Sequence, residues 1–544
     1  MRYLTVDDVF NVVGQFGWSQ KIYYFGLNLL QIFTAFHMLL NVFTGLEPSF
    51  KCYLKNGSQK EELTNKCFNN SISYCDISYT SEFNSFVSEW NLICSEKYKV
   101  PLVQSIWMGG VMMGALMLGG VADVVGRLKT LMVSLIGTIA FEGFSSFAPT
   151  FFIMLGLRFF GGVCCALVIL SSFVLSQELV GTNYRSVCGI MIAAFFAVGI
   201  GIFSVLAASV SDWRTLSFIC SVCGILFMLL PCYVPESPRW LIIHGRRDEA
   251  KAVLEHIARR NGKFEELPTH WEVTVSGGDE DGKVKVNKSK KSLGVCDLIR
   301  HPYIFMLTVI QVYSWFVNSA TYYGLTMAAS NLGGNVYLST ALSGLIEIPA
   351  CLIAVAVIDR LGRRITLCGF MLVGGIACLC IQVLPPSLVS LTTSLALCGK
   401  LSIAASFSVC YVHSAEIFPT PIRNSGMGIV SVAARIGGII SPFILMLGDV
   451  LPNLQFTALG LMTFLSGLLN LKLPETMGLP MPESIADILA MKNASSKDSS
   501  DDFQYRELQM DEEEVVLNTD DSRSRSPYSK GKPKDEDQVP LIED

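Results

Sequence analysis

The chain has 544 residues, 51% of them hydrophobic and only 16% charged. A soluble domain carries about 25% charged residues, so this composition, with a mean hydropathy of +0.46, excludes an ordinary soluble protein. The net charge of −5 comes largely from the C-terminal tail and supplies no basic footprint for nucleic acid.

Residues 1–21 read as a polar, amphipathic N-terminal segment. Beyond them the apolar residues gather into twelve blocks, each long enough to cross a bilayer as a helix: roughly 22–43, 101–121, 130–148, 151–176, 187–210, 215–234, 303–327, 336–358, 365–384, 391–414, 426–447 and 453–472. The first block is too long for the apolar core of a signal peptide, so it is expected to remain as a membrane span. Arg127 with Lys129, Arg185, Arg363 with Arg364, and Arg423 follow the second, fourth, eighth and tenth blocks. The loops after the third, seventh and ninth blocks hold no Lys or Arg, and the loop after the fifth holds only Arg214. Positively charged loops stay in the cytoplasm, which places both termini inside.

The segment 44–100 carries four cysteines, Cys52, Cys67, Cys75 and Cys94, beside acceptor sequons at Asn56 and Asn69. An even cysteine count next to sequons fits an oxidising extracellular loop with two disulfides. Three connectivities are open. Residues 235–302 divide the blocks into two sets of six. This linker opens with an amphipathic helix in "DEAKAVLEHIARRNGK" and ends in flexible polar sequence. Residues 474–544 are rich in Ser, Asp and Glu and have too little apolar surface to fold, so the tail is expected to be disordered. Within it "SRSRSP" is a candidate phosphorylation site, and "DQVPLI" (Asp537–Ile542) is similar to the acidic dileucine signals that clathrin adaptors read.

The sets 22–234 and 303–473 repeat each other. "GGVADVVGRLK" returns as "VAVIDRLGRRI", with Asp123 and Asp359 236 residues apart. Glu178 and Arg185 return as Glu416 and Arg423 at an offset of 238, and Pro235 of "PESPRW" returns as Pro474 of "PET" at 239. Near-constant offsets imply duplication of a six-helix unit, the architecture of alternating-access carriers. The expected fold is an all-α polytopic membrane protein of twelve helices in two pseudo-symmetric halves.

The D-x-x-G-R loops, the paired E-x6-R motifs and PESPRWL resemble the major facilitator superfamily. The Cys-rich loop ending "SEWNLIC", with "YYGL", "GLIEIPA" and "EIFPTPIRN", is similar to solute carrier family 22, the organic cation, anion and zwitterion transporters, nearest the carnitine-transporting and member-15-like branches. The resemblance covers roughly residues 1–480. It implies a gating role at the inner mouth for Asp123, Arg127, Glu178, Arg185, Asp359, Arg363, Glu416 and Arg423, whose pairs would hold the halves together and break as the carrier turns inward. The alternative is that these charges fix topology only. Gly119 fits the family's loop glycine, but Val355 in the second copy does not.

Two charges lie deep in apolar blocks, Glu347 eleven residues into the eighth and Arg435 nine residues into the eleventh. At 1.5 Å per residue both approach the midplane, where charged side chains face the bundle interior and serve transport. A mutual salt bridge with no substrate role is the competing reading. The resemblance makes Glu347 an acidic site residue and gives position 435 the arginine of anion and carnitine carriers, where cation carriers have aspartate. The cation carriers' fourth-helix lysine falls at Ala166 here. Trp315, Ser319, Tyr322 and Thr326 recur at helical spacing and form one face of the seventh block. Such an aromatic and polar face suits quaternary ammonium groups; a membrane-interface belt is the alternative for its outer tyrosines. By position in the family, Phe196, Phe407, Ser408 and Tyr411 would complete the cavity. Asn28, Gln31, Glu142, Arg158, Lys400, His37 and His413 are weaker candidates, read as packing residues at least as readily.

No metal-ligand spacing and no phosphate-binding loop is present, so no cofactor is expected and ATP does not drive the protein directly. Coupling to Na⁺ or H⁺ stays open. The expectation is a plasma-membrane carrier of small organic ions, foremost zwitterions of the carnitine, betaine or ergothioneine type, and not an enzyme. An organic cation or anion facilitator of the same family and a non-transporting sensor on a carrier fold are the alternatives. A sugar porter fits less well, because the paired glutamines of its seventh helix are missing, with only Gln311 present.

Overall fold

The computed structural model describes residues 2–54, 62–64, 75–80, 83–274, 301–328, 335–385, 388–419 and 422–478, together with Pro482 and Ile488. The sequons at Asn56 and Asn69, Cys67, the Cys75 side chain, residues 275–300 and the Asp537–Ile542 signal lie outside the described residues. The chain divides into two units, Met1–Ile485 and Ala486–Asp544, and the helical bundle lies in the first.

Eleven helices among the described residues are long and apolar enough to cross a membrane. The first six spans are α2 (Trp18–Thr44), α3 (Lys99–Val125), α4 (Arg127–Ser145), α5 (Phe151–Glu178), α6 (Thr182–Ser209) and α7 (Trp213–Val222), the last continuing as a 3₁₀ helix to Cys232. Spans seven to eleven are α10 (Pro302–Ala328), α11 with α12 (Val336–Leu345, Glu347–Leu361), α13 (Arg363–Val383), α14 (Val389–Ile417) and α15 (Arg423–Leu445). A twelfth apolar helix, α16 (Leu454–Asn470), has 17 residues and reaches about 26 Å at 1.5 Å per residue, just short of the hydrocarbon thickness.

The eighth span breaks at Ile346. Pro349 has no N–H to give the carbonyl one turn back, so the ladder is interrupted there and Glu347 opens the second piece. The predicted single helix 336–358 is therefore two.

Before the first span, α1 (Val6–Val13) is capped by Thr5, whose Oγ1 accepts from the Asp8 amide while Asp8 Oδ2 accepts from the Thr5 amide at 2.9 Å. Between the halves lie α8 (Pro238–Ile243) and α9 (Arg247–Arg260). Helix α9 buries Ala250, Leu254, Ile257 and Ala258 on one face. It carries Asp248 and Glu249 in its first turn and Arg259 and Arg260 in its last, matching the helix dipole. Strand β1 (Arg2–Leu4) pairs in parallel with β5 (Trp271–Val273), and these elements share one apolar core with the ends of α2, α4 and α5.

The Cys-rich segment folds as a small antiparallel sheet in which β2 (Phe50–Leu54) lies between β3 (Glu62–Thr64) and β4 (Cys75–Tyr79). Cys52 and Cys94 each take part in a disulfide. The end of the bundle bearing this sheet is its loop face, and the end bearing α1, α8 and α9 is its linker face.

Candidate functional site

At the linker face the sequence repeat becomes a repeat of geometry. Gly126 and Gly362 turn the chain into α4 and α13 with positive φ of 113° and 84°. The Glu236 carboxylate accepts from the backbone amides of Arg127 and Leu128 at 3.0–3.1 Å, and Glu475 accepts from those of Arg363 and Arg364 at 2.8 and 3.0 Å. Each carboxylate thus closes a helix N-terminus, satisfying orphan donors and meeting the positive end of the dipole. A Cβ at either glycine would press on that carboxylate, within 2.7 Å and 2.6 Å. The sequence offset of "PES" and "PET" points at this pair without revealing what it does.

The ionic pairs follow the same symmetry. Arg127 meets Asp123 at 2.8 Å and Glu178 at 3.4 Å; Arg363 meets Asp359 at 3.4 Å and Glu416 at 3.2 Å. The E-x6-R partners do not pair with each other. Arg185 binds Asp7 of α1 at 3.1 Å, which Arg239 of α8 also binds, whereas Arg423 donates to the Phe418 carbonyl at 3.1 Å. Among the described residues, no ion pair at this face joins one half to the other. Sequence reasoning misses Asp7 and Arg239 because Asp7 is 178 residues from Arg185 and 232 from Arg239.

At the loop face the halves are joined. Lys97, just before α3, reaches Glu47 at 2.9 Å and Asp449 at 2.8 Å, the latter beyond α15 in the other half. Ser105 donates to the Ile439 carbonyl at 2.6 Å, and the Tyr323 hydroxyl points at Met38 Sδ at 3.8 Å. Phe43 of α2 and Tyr337 of α11 stack with centroids 5.3 Å apart.

Between these layers lie the deep charges. Gly437 lets α15 approach α10 closely, since a Cβ there would collide with the Phe316 carbonyl. This places Arg435 within electrostatic reach of the Tyr323 and Tyr411 hydroxyls. Arg435 is half-buried, its Nε is buried without a hydrogen-bond partner, and among the described residues its guanidinium forms no ion pair. Glu347 does not pair with it. Glu347 Oε1 instead lies 3.0 Å from Lys400 Nζ and accepts from the Tyr322 hydroxyl at 2.6 Å. Lys400 also donates to Thr326 Oγ1 at 2.6 Å and stands 3.1 Å from the Tyr322 ring centroid. The mutual Glu347–Arg435 bridge is therefore replaced by a Glu347–Lys400 pair, which leaves Arg435 as the uncompensated charge.

The aromatic face of the seventh span packs on α14. Trp315 is 2% exposed, and its indole N–H donates to Ser414 Oγ at 2.8 Å. It lies behind Tyr411, 46% exposed, with ring centroids 4.3 Å apart, and beside Phe407 at 5.7 Å. Tyr411 and Phe407 thus present the aromatic surface and Trp315 backs it. Ser319 is buried; Ser408 lies 3.9 Å from Cys351 Sγ; Phe196 packs in the apolar cluster that holds Tyr322 and Tyr323. Gln31 donates to Ser172 at 3.0 Å, Asn28 to the Tyr24 carbonyl at 2.8 Å, and His413 Nε2 meets the Pro474 carbonyl at 3.0 Å.

Residues 48–486 match the family model described as "Sugar (and other) transporter". A Xenopus tropicalis protein described as "Solute carrier family 22 member 15-like" is 37% identical over 490 residues, covering 89% of this chain and 96% of the relative. A Drosophila melanogaster "Organic cation transporter protein" is 36% identical over 88% of this chain and 94% of its own length. The human "Organic cation/carnitine transporter 2" is 32% identical over 75% of this chain and 72% of its own length. Among solved structures, the xylose transporter XylE of E. coli in an inward open conformation superposes with a TM-score of 0.60 at 16% identity, covering 87% of this chain and 99% of XylE.

Proposed function

The chain belongs to the sugar-and-other transporter family and, within it, to solute carrier family 22; it is a multi-pass membrane transporter of the major facilitator fold, and from that premise we propose that it moves small organic zwitterions by alternating access. One observation carries the charge preference. Of three charges near mid-depth, the buried Glu347 and Lys400 neutralise each other and the half-buried Arg435 has no partner among the described residues. An arginine fork matches a carboxylate through two parallel hydrogen bonds. The cationic end of the substrate then rests on the aromatic surface of Tyr411 and Phe407, where cation–π contact contributes about 0.5–2 kcal/mol, and not on Glu347.

The pairing pattern supports the transport cycle. Contacts between the halves cluster at the loop face, whereas the linker-face charges are satisfied inside each half, an arrangement open toward the linker face. With arginine-rich short loops retained in the cytoplasm, that opening faces inward at the plasma membrane. On the reverse swing the linker-face corners around Asp123, Arg127, Glu178, Arg185, Asp359, Arg363, Glu416 and Arg423 come together as the inner gate. Cys52 and Cys94, each in a disulfide in the loop-face segment, fit an extracellular, oxidising side.

An uptake panel in expressing cells tests the substrate class, comparing a betaine-like zwitterion with its amidated cation and with an anion lacking the ammonium group. Zwitterion uptake that falls on amidation is the expected result. Preferential uptake of the amidated cation would overturn the reading and favour the organic cation activity named for the Drosophila relative.

A further inference from the structure

Away from the substrate cavity, four spans of the first half each send one polar side chain into a single buried cluster. Glu142 of α4 accepts from the indole N–H of Trp107 (α3) at 2.8 Å and from Arg158 (α5) at 3.0 Å. His37 of α2 brings Nδ1 to 3.9 Å from the second Glu142 oxygen. Glu142, His37 and Trp107 are at most 1% exposed and Arg158 is 2% exposed. Both His37 ring nitrogens are buried without a hydrogen-bond partner. A neutral imidazole carries one donor and one acceptor, and buried polar groups are ordinarily satisfied. The ring packs edge-on against Phe33, with centroids 4.7 Å apart, but no hydrogen bond uses its nitrogens, and a carboxylate stands just beyond hydrogen-bond reach.

We propose that His37 and Glu142 form a proton-binding site that couples transport to the proton gradient. The proton adds to an imidazole nitrogen, and the new N–H donates to Glu142 as the two side chains close the gap. The cluster then changes from neutral, with Arg158 balancing Glu142, to a net charge of +1. Arg158 opposes that charge from α5, which keeps the proton loosely held and releasable. The remaining titratable groups around the pair are thiols: Cys164 and Cys165 of α5 and Cys220 of α7.

Placement supports coupling. His37 lies seven residues from the loop-face end of α2, Glu142 three from that of α4, Arg158 seven from that of α5 and Trp107 eight from that of α3. The cluster therefore sits in the loop-face third of the bundle. Trp107 belongs to an apolar plug that spans both halves, with Met38 and Met108 on one side and Tyr323 on the other. When the halves part at the loop face, this plug is what opens, giving the site access to that side.

The proposal rests on the chain being a carrier and is independent of the zwitterion reading. Purified full-length protein should show a shift of a carboxylate infrared band or a Trp107 fluorescence change that titrates with pH, lost in both Glu142→Gln and His37→Gln. This measurement needs no substrate. In proteoliposomes, uptake should rise with external acidity by up to about tenfold per pH unit while the site is unsaturated, accompanied by lumenal acidification. Glu142→Gln should abolish both responses and retain substrate exchange. A wild-type protein with no titration assignable to Glu142 or His37, or with uptake indifferent to pH and no proton movement, overturns the proposal. If Glu142→Gln fails to fold, His37→Gln carries the same test, since no contact depends on its ring nitrogens.

Discussion

Lys400 Nζ stands 3.0 Å from Glu347 Oε1, with both side chains less than a tenth exposed. Removing one partner of a buried pair leaves an uncompensated charge, which costs about 3–5 kcal/mol, whereas replacing both with apolar residues is often neutral. Lys400→Met and Glu347→Leu should therefore each lower the unfolding temperature in detergent and reduce surface expression. The double variant should recover most of both. Additive losses in the double variant would show that the two charges act separately.

Arg435 should behave in the opposite way. Its buried Nε has no partner to orphan, so Arg435→Gln is expected to leave thermal stability unchanged or slightly higher. A charge-assisted hydrogen bond is worth about 1.5–3 kcal/mol, so apparent affinity for a carboxylate substrate should drop roughly ten- to hundred-fold. Concentration-dependent uptake, normalised to surface protein, reads this directly. Equal affinity in Arg435→Gln would remove the arginine from substrate recognition.

These two residues also mark what the sequence could convey. The all-α, multi-pass fold was legible because hydrophobic blocks of membrane-spanning length are a one-dimensional quantity. Lys400 and Glu347 each lie eleven residues past the start of α14 and α11, spans that run in the same direction, and Arg435 lies twelve past the start of α15. Depth counted along the sequence singles out Glu347 and Arg435 and leaves Lys400 among the weaker candidates. Which two pair depends on helix rotation and on the break at Ile346, which only packing decides. The burial of Trp315 was hidden for the same reason: spacing defines a face but not whether that face meets a cavity or another helix. Glu236 and Glu475 were visible as a repeated motif, but their capping role requires the chain to return from the end of the sixth and twelfth spans.

Glu89 at the loop face offers a pH prediction. Burial alone would raise its carboxyl pKa, but hydrogen bonds from Arg214, through Nε at 3.0 Å, and from Trp213 at 2.7 Å hold it below the usual carboxylate range. A folded value below the unfolded one means that the stabilisation is complete above the ordinary carboxylate pKa, near 4, and is lost as pH falls through the folded value. The contact should thus persist at neutral pH and loosen only in strong acid. Proteolysis of the Cys-rich loop, followed against pH, checks this: Glu89→Gln should be cleaved at neutral pH as the wild type is in acid.

The loop-face lock provides the most direct conformational test. Lys97 bridges Glu47 in its own half and Asp449 in the other, and all three side chains are about a third to a half exposed. Exposed pairs contribute about 0–1 kcal/mol each and are screened by salt, so the lock biases the two orientations without fixing one. Lys97→Ala should raise the outward-open population by a few-fold. Lys97→Glu, which sets three like charges together, should raise it further. A cysteine introduced in place of Ser105, whose hydroxyl now meets the Ile439 carbonyl, reports the change through labelling by a membrane-impermeant maleimide. Labelling should accelerate from wild type to Lys97→Ala to Lys97→Glu, and high salt should speed the wild type most. Rates that ignore both the charge and the salt would mean that packing between α3 and α15, rather than this ion pair, keeps the loop face shut.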